Sequence, residues 1–103
     1  MIVTSTDSIP GRKITQLLGM VQGNTVRSKN IGRDIAAGFK TLVGGELKGY
    51  TEMLSEAREE AYNRMVENAK KMDADAIINV RFTSSMVTNG ASEILAYGTA
   101  VKF

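Results

Sequence analysis

The chain contains no cysteine and no histidine. Without cysteine there is no disulfide, no thiolate nucleophile and no sulfur anion to hold a soft metal. Without histidine no imidazole can activate a serine or threonine hydroxyl, so hydrolytic triads are excluded. Copper(I), zinc and cadmium favour those same two side chains, which leaves only the thioethers of Met1, Met20, Met53, Met65, Met72 and Met86. These form no clustered motif. Heavy-metal binding is therefore not expected.

Long apolar runs are also missing, and nothing approaches the roughly 20 residues that span a bilayer. The amino-terminal residues Met1-Ile2-Val3-Thr4-Ser5-Thr6-Asp7 carry neither a basic leader nor an apolar core. A cytoplasmic protein without a membrane partner is expected. Aromatics are few, three Tyr and three Phe, and none sits in a basic-aromatic repeat that would stack bases. No nucleic-acid partner is expected.

What remains is a 103-residue chain, 43% hydrophobic, which fits a single domain over residues 1–103. A chain this short has a thin core, and subunit contacts are the usual supplement where disulfides and metals are absent. Net charge is +2, unevenly placed. Residues 1–45 hold six bases against two acids (+4), and residues 46–103 hold seven against nine (−2). Such asymmetry suits a solvated face that meets an acidic neighbour.

Residues 2–6 are β-prone, and Ser8-Ile9-Pro10-Gly11 signals a turn. Residues 13–27 have apolar side chains in both alternating sets, which predicts a strand covered on both faces, with glycines marking a bend or a close backbone approach. Asn30 is placed to cap a short helix carrying Ile31, Ile35, Phe39 and Leu42, broken by Gly44-Gly45. From Glu46 to about Met72, Leu47, Tyr50, Leu54, Ala57, Ala61, Met65, Ala69 and Met72 form one helical stripe. Alanine dominates its middle, so the helix can lie close on a sheet. Glu60 to Arg64 and Glu67 to Lys71 are favourable i to i+4 pairs. Asp73-Ala74-Asp75 ends the helix. Ala76–Thr83 reads as a strand with Ile78, Val80 and Phe82 on one side, and Asn89-Gly90 as a hairpin turn. A return strand from Glu93 to Phe103 puts Leu95, Tyr97, Val101 and Phe103 on one face. The expected fold is α+β, an antiparallel sheet crossed by one long helix.

Several side-chain groups invite chemistry. Glu52, Glu56, Glu59 and Glu60 crowd one helical region and are spaced to share a hard cation, although exposed helices use Glu freely for solubility. Tyr50, Thr51 and Arg58 place polar groups beside the apolar stripe. The Arg58 fork suits a carboxylate or phosphate, and equally a Glu of an adjacent subunit. Gly32-Arg33-Asp34 and Gly44-Gly45-Glu46 do not match a phosphate loop, because Gly38-Phe39-Lys40-Thr41 interrupts the pattern. Lys29 and Lys40 have no evident partner for acid-base work.

The runs Asn30-Ile31-Gly32-Arg33-Asp34-Ile35, Gly44-Gly45-Glu46-Leu47 with Tyr50-Thr51-Glu52, and Ala57-Arg58 with Ala61 and Arg64-Met65 resemble the YbjQ-like family. So do Asp75-Ala76-Ile77, Asn79-Val80-Arg81-Phe82, Glu93-Ile94 and Ala96-Tyr97-Gly98-Thr99-Ala100-Val101. The resemblance runs from end to end. It implies a dodecin-like β-α-β-β subunit, a three-stranded antiparallel sheet in the order 1-3-2, and extra short strands that join neighbours into a ring-shaped homopentamer. It also carries a heavy-metal-binding label that the donor set contradicts. The expected function is a non-enzymatic homo-oligomeric assembly module binding a small molecule at subunit interfaces, with no cofactor and no catalytic or metal-ligating residue. Arg33, Glu46, Tyr50, Thr51 and Arg58 are the candidate ligand-binding residues. The alternatives are an enzyme using carboxylates or a lysine at an intersubunit cleft, and a metal site with oxygen ligands.

Overall fold

The computed structural model describes residues 1–28, 46–88 and 91–103, with side chains for 1–27, 51–88 and 91–103. The expected short helix after Asn30 and the glycine pair that ends it lie outside these residues. The elements are β1 (Ile2–Val3), β2 (Gln16–Ser28), α1 (Glu46–Lys71), β3 (Ala76–Thr88) and β4 (Ala91–Lys102). They form one four-stranded sheet in the order β1-β3-β4-β2. The three long strands are antiparallel, and in chain order they stand first, third, second.

One expectation is corrected here. β1 runs parallel to β3, with Ile2 opposite Ala76 and Val3 opposite Ile77, so the sheet is mixed rather than antiparallel throughout. Backbone bonds hold the amino-terminal segment there. Thr4 N donates to Ile77 O, Asn79 N to Thr6 O and Val80 N to Thr4 O, each at 3.0 Å.

Helix α1 is rich in Ala, Glu, Lys, Arg and Met, all strong helix formers, and at 1.5 Å per residue it is about 39 Å long. It stops at Asp73, which adopts φ 62°. Asp73 N donates to Lys70 O and Ala74 N to Ala69 O, the paired bonds that satisfy carbonyls at a helix end. Ala57, Ala61, Met65 and Ala69 are fully buried, as their spacing requires, and pack with Val21, Ile77, Val80, Ile94, Ala96 and Ala100. Leu54, on the same predicted stripe, is exposed because it sits to one side of that row.

Two glycines set the shape of β2. Gly19, at φ 120°, marks the register shift between Leu17 and Gly19 and bends the strand. Gly23 lies directly beneath α1. A Cβ there would stand 2.5 Å from Ala61 O and closer still to the backbone nitrogen of Met65. Helix backbone therefore rests on strand backbone. The prediction that β2 is covered on both faces fails within the chain, since Leu17 is 72% and Met20 76% exposed on the face away from α1.

The predicted phase of β3 is also corrected. Ile78, Val80 and Phe82 do not share a face. Ile77 and Val80 face α1, whereas Ile78 joins Ala76 and Val101 on the opposite face, packed by Ile9, Ile14 and Phe103. The cause is a bulge: the register moves from Ile78↔Thr99 to Arg81↔Tyr97, with Asn79 at φ 53°. Gly98 lies opposite, where a Cβ would meet Ile78 O at 2.9 Å. β4 alternates as expected, with Val101 buried on the far face and Leu95 and Tyr97 half-buried there. Thr88 pairs with Ala91, so two residues join β3 to β4.

Replacing Gly23 with valine inserts side-chain atoms where neither backbone can yield without moving α1. A loss of about 3 kcal/mol or more is expected, read as a fall in the urea midpoint. A variant of unchanged stability would mean that α1 does not rest on β2.

Candidate functional site

β2 is an outer strand of the sheet, and α1 lies across it. The helix residues at positions 56, 60, 64 and 68 form the flank overlooking the β2 edge, one i to i+4 row beside the buried alanines. Together with Gln22, Gly23 and Asn24 this flank lines an open groove of ≈ 650 Å³.

The groove is already knit by its own side chains. Arg64 Nη1 donates to Asn24 O at 2.6 Å, and Asn68 Nδ2 to Gln22 O at 2.7 Å. Helix side chains thus occupy carbonyls of the strand on which they lie, which blunts that strand as a pairing edge. Glu60 is clamped between Arg27, at 2.8 Å, and Arg64, the i+4 partner predicted from sequence. Glu67 pairs with Lys70 at 3.4 Å, one residue short of the expected Lys71. The Glu-rich stretch is therefore partly committed to ion pairs. Among the described residues no three acidic groups converge as a cation site would need.

Of the five candidate residues, the two whose side chains are described, Thr51 and Arg58, do not line this groove. Arg33 lies outside the described residues. Glu46 and Tyr50 fall in the first turns of α1, with their side chains outside the described set. Thr51 is exposed on α1. Arg58 is exposed and donates to Ser55 Oγ at 3.2 Å on its own helix. Positions 50, 54, 58, 62 and 66 follow i to i+4 steps along the flank opposite the groove, the side towards β4 and β3. Sequence reasoning missed Arg27, Asn24 and Asn68, whose roles depend on the lateral placement of α1 over β2.

That opposite flank borders bare sheet. Phe82 pairs with Ala96 and Met86 with Ser92, which puts both on the α1 face, yet they are 47% and 73% exposed. Leu54 and Tyr62 are also exposed, on the helix flank towards β4 and β3. The far face of β2 carries Leu17, Met20 and Val26, all exposed. Among the described residues no strand pairs with the outer edge of β3 beyond Val80.

These features define a small α+β domain, a mixed four-stranded sheet under one long helix. A family model described as "Putative heavy-metal-binding" matches residues 1–103. UPF0145 proteins of Photobacterium profundum (63% identical, 99% of both chains), Thermotoga maritima (60%, 99% of this chain and 96% of the relative) and Methanosarcina acetivorans (60%, with the same coverage) align along their lengths. The chain belongs to this YbjQ, or UPF0145, family. A crystal structure from Pediococcus pentosaceus, a DUF74-family protein of unknown function, shares the fold at TM-score 0.67 and 18% identity, covering 100% of this chain and 97% of that one.

The family description is not matched by this chain's donors. Met65 is fully buried in the core, while Met20 and Met86 lie on opposite faces of the sheet. Met72 packs against the same core cluster as Met65, among apolar side chains.

Glu60→Ala leaves the guanidinium of Arg27, whose side chain is only 26% exposed, without its carboxylate. Its Nε is already buried with no partner. The expected cost is about 1–2 kcal/mol in urea unfolding. Arg64→Ala removes a side chain that is 54% exposed and should cost less. The reverse order would place the weight of this cluster on the strand cap instead of on Arg27.

Proposed function

We propose that this protein is a non-enzymatic, self-assembling module whose working form is a homo-oligomeric ring, with five copies as the family resemblance implies, and that it holds a small molecule at subunit boundaries. One observation carries this reading. Large apolar side chains stay uncovered on both faces of one sheet, with Met20 76% and Met86 73% exposed, while the largest fully buried side chains among the described residues are Met65, Ile77 and Val101. An isolated domain seldom leaves such residues bare on opposite sides, whereas assembly buries them. The chain is long and flat, 55 × 25 × 17 Å, a shape that gives much surface to neighbours. The absence of thiol and imidazole from the whole sequence supports binding over catalysis.

Native mass spectrometry at low micromolar concentration tests the reading directly. A discrete oligomer, five copies on the ring reading, is expected. A monomer at every concentration overturns it.

A further inference from the structure

Apart from Met1, Ile2 and Val87, the exposed large apolar residues fall into two unlike surfaces. The front corner is made by the flank of α1 with Leu54 and Tyr62, and by the sheet floor at Phe82 and Met86. The back surface is the far face of β2, where Leu17, Met20 and Val26 stand opposite Val101, Thr99 and Glu93 of β4. A described base stands beside the front and a described acid beside the Val26 end of the back, whose Leu17 end carries Arg12 over Phe103. At the front, Arg58 bonds only to Ser55 Oγ among the described residues. At the back, the Glu93 carboxylate accepts from Asn24 Nδ2 at 2.8 Å and meets no described cation.

We propose that these surfaces are the two halves of one head-to-tail interface, the front corner of one copy seated on the back of β2 in the next, with Arg58 meeting the partner's Glu93. This rests on the self-assembly reading above and names its contact. Three observations select a second copy as the occupant. The surfaces are unlike, so a single two-fold contact would use one twice and leave the other in water, whereas a head-to-tail contact covers both at once. They lie on opposite faces and at opposite sides of the sheet, so each added copy offers a fresh surface until a ring closes. Arg58 beside the front and Glu93 beside the back are of opposite charge and attract, where like charges would repel on approach.

Two exposed substitutions separate the halves. Met20→Lys spoils only the back and Met86→Lys only the front. In native mass spectrometry each alone is expected to lose the oligomer, with association weakened about tenfold or more. Mixed one to one, M20K supplies an intact front and M86K an intact back, and a heterodimer forms that neither variant makes alone. R58E and E93R are each expected to weaken assembly, and R58E/E93R to restore it. Far-UV circular dichroism reports folding, and if a lysine variant unfolds, the charge reversal decides. A monomeric wild type would end the self-assembly reading itself. An oligomeric wild type with either lysine variant still fully assembled, or a mixture without heterodimer, overturns the head-to-tail contact alone.

Discussion

The contact between Gly23 and the backbone of α1 is the constraint from which the rest of the arrangement follows. A helix normally stands off a sheet by the length of two layers of side chains. Here the sheet side presents a hydrogen atom, and the helix side presents Ala57, Ala61 and Ala69 around Met65, all fully buried. The helix settles low and is held by dispersion along its whole contact. Close packing of small groups gives good van der Waals contact, but each alanine removes little apolar area from water, and hydrophobic stabilisation scales with that area. The core is well fitted and thin.

Gly23 is on β2, an outer strand, and this determines which surfaces stay bare. Anchored there, α1 covers β2 and part of β4 and leaves the α1 face of β3 open beyond Val80. The same offset lets Arg64 and Asn68 reach the carbonyls of Asn24 and Gln22, so one side of the sheet is sealed by its own helix. The other side keeps Phe82 and Met86 in water. A central anchor on β4 would have divided the cover evenly and left neither the polar groove nor the apolar corner.

The helix, its buried stripe and the terminal hairpin were legible because their signals are local. A 3.6-residue apolar period and a two-residue turn are read within a short window. The glycines of β2 were legible as marks of a bend or a close approach, and the fold assigns the bend to Gly19 and the close approach to Gly23. What escaped depended on partners far along the chain. The phase of β3 flips at Asn79, a non-glycine residue in the left-handed region, and no alternation rule anticipates an extra residue there. The parallel pairing of β1 follows from bonds to residues 77–80, more than seventy positions away. The clustering of Arg27, Glu60 and Arg64 needed both the helix register and its sideways position, and only the Glu60–Arg64 half was visible as a spacing.

The candidate residues gain meaning from the same offset. Arg58 stands in a row with Leu54 and Tyr62 on the flank beside bare β3, not in the groove where the carboxylates collect. In the groove Glu60 is neutralised by two guanidinium groups and the carbonyls of Gln22 and Asn24 are occupied, so the apolar surface and the unspent guanidinium lie elsewhere. On this flank Arg58 stands one helical turn from Leu54 and Tyr62, the mixture of one charge and much apolar surface that small-molecule pockets use. The corner is open on one side and is no pocket by itself. If it binds a ligand, a second chain must form the missing wall, and recognition and assembly would then depend on the same residues.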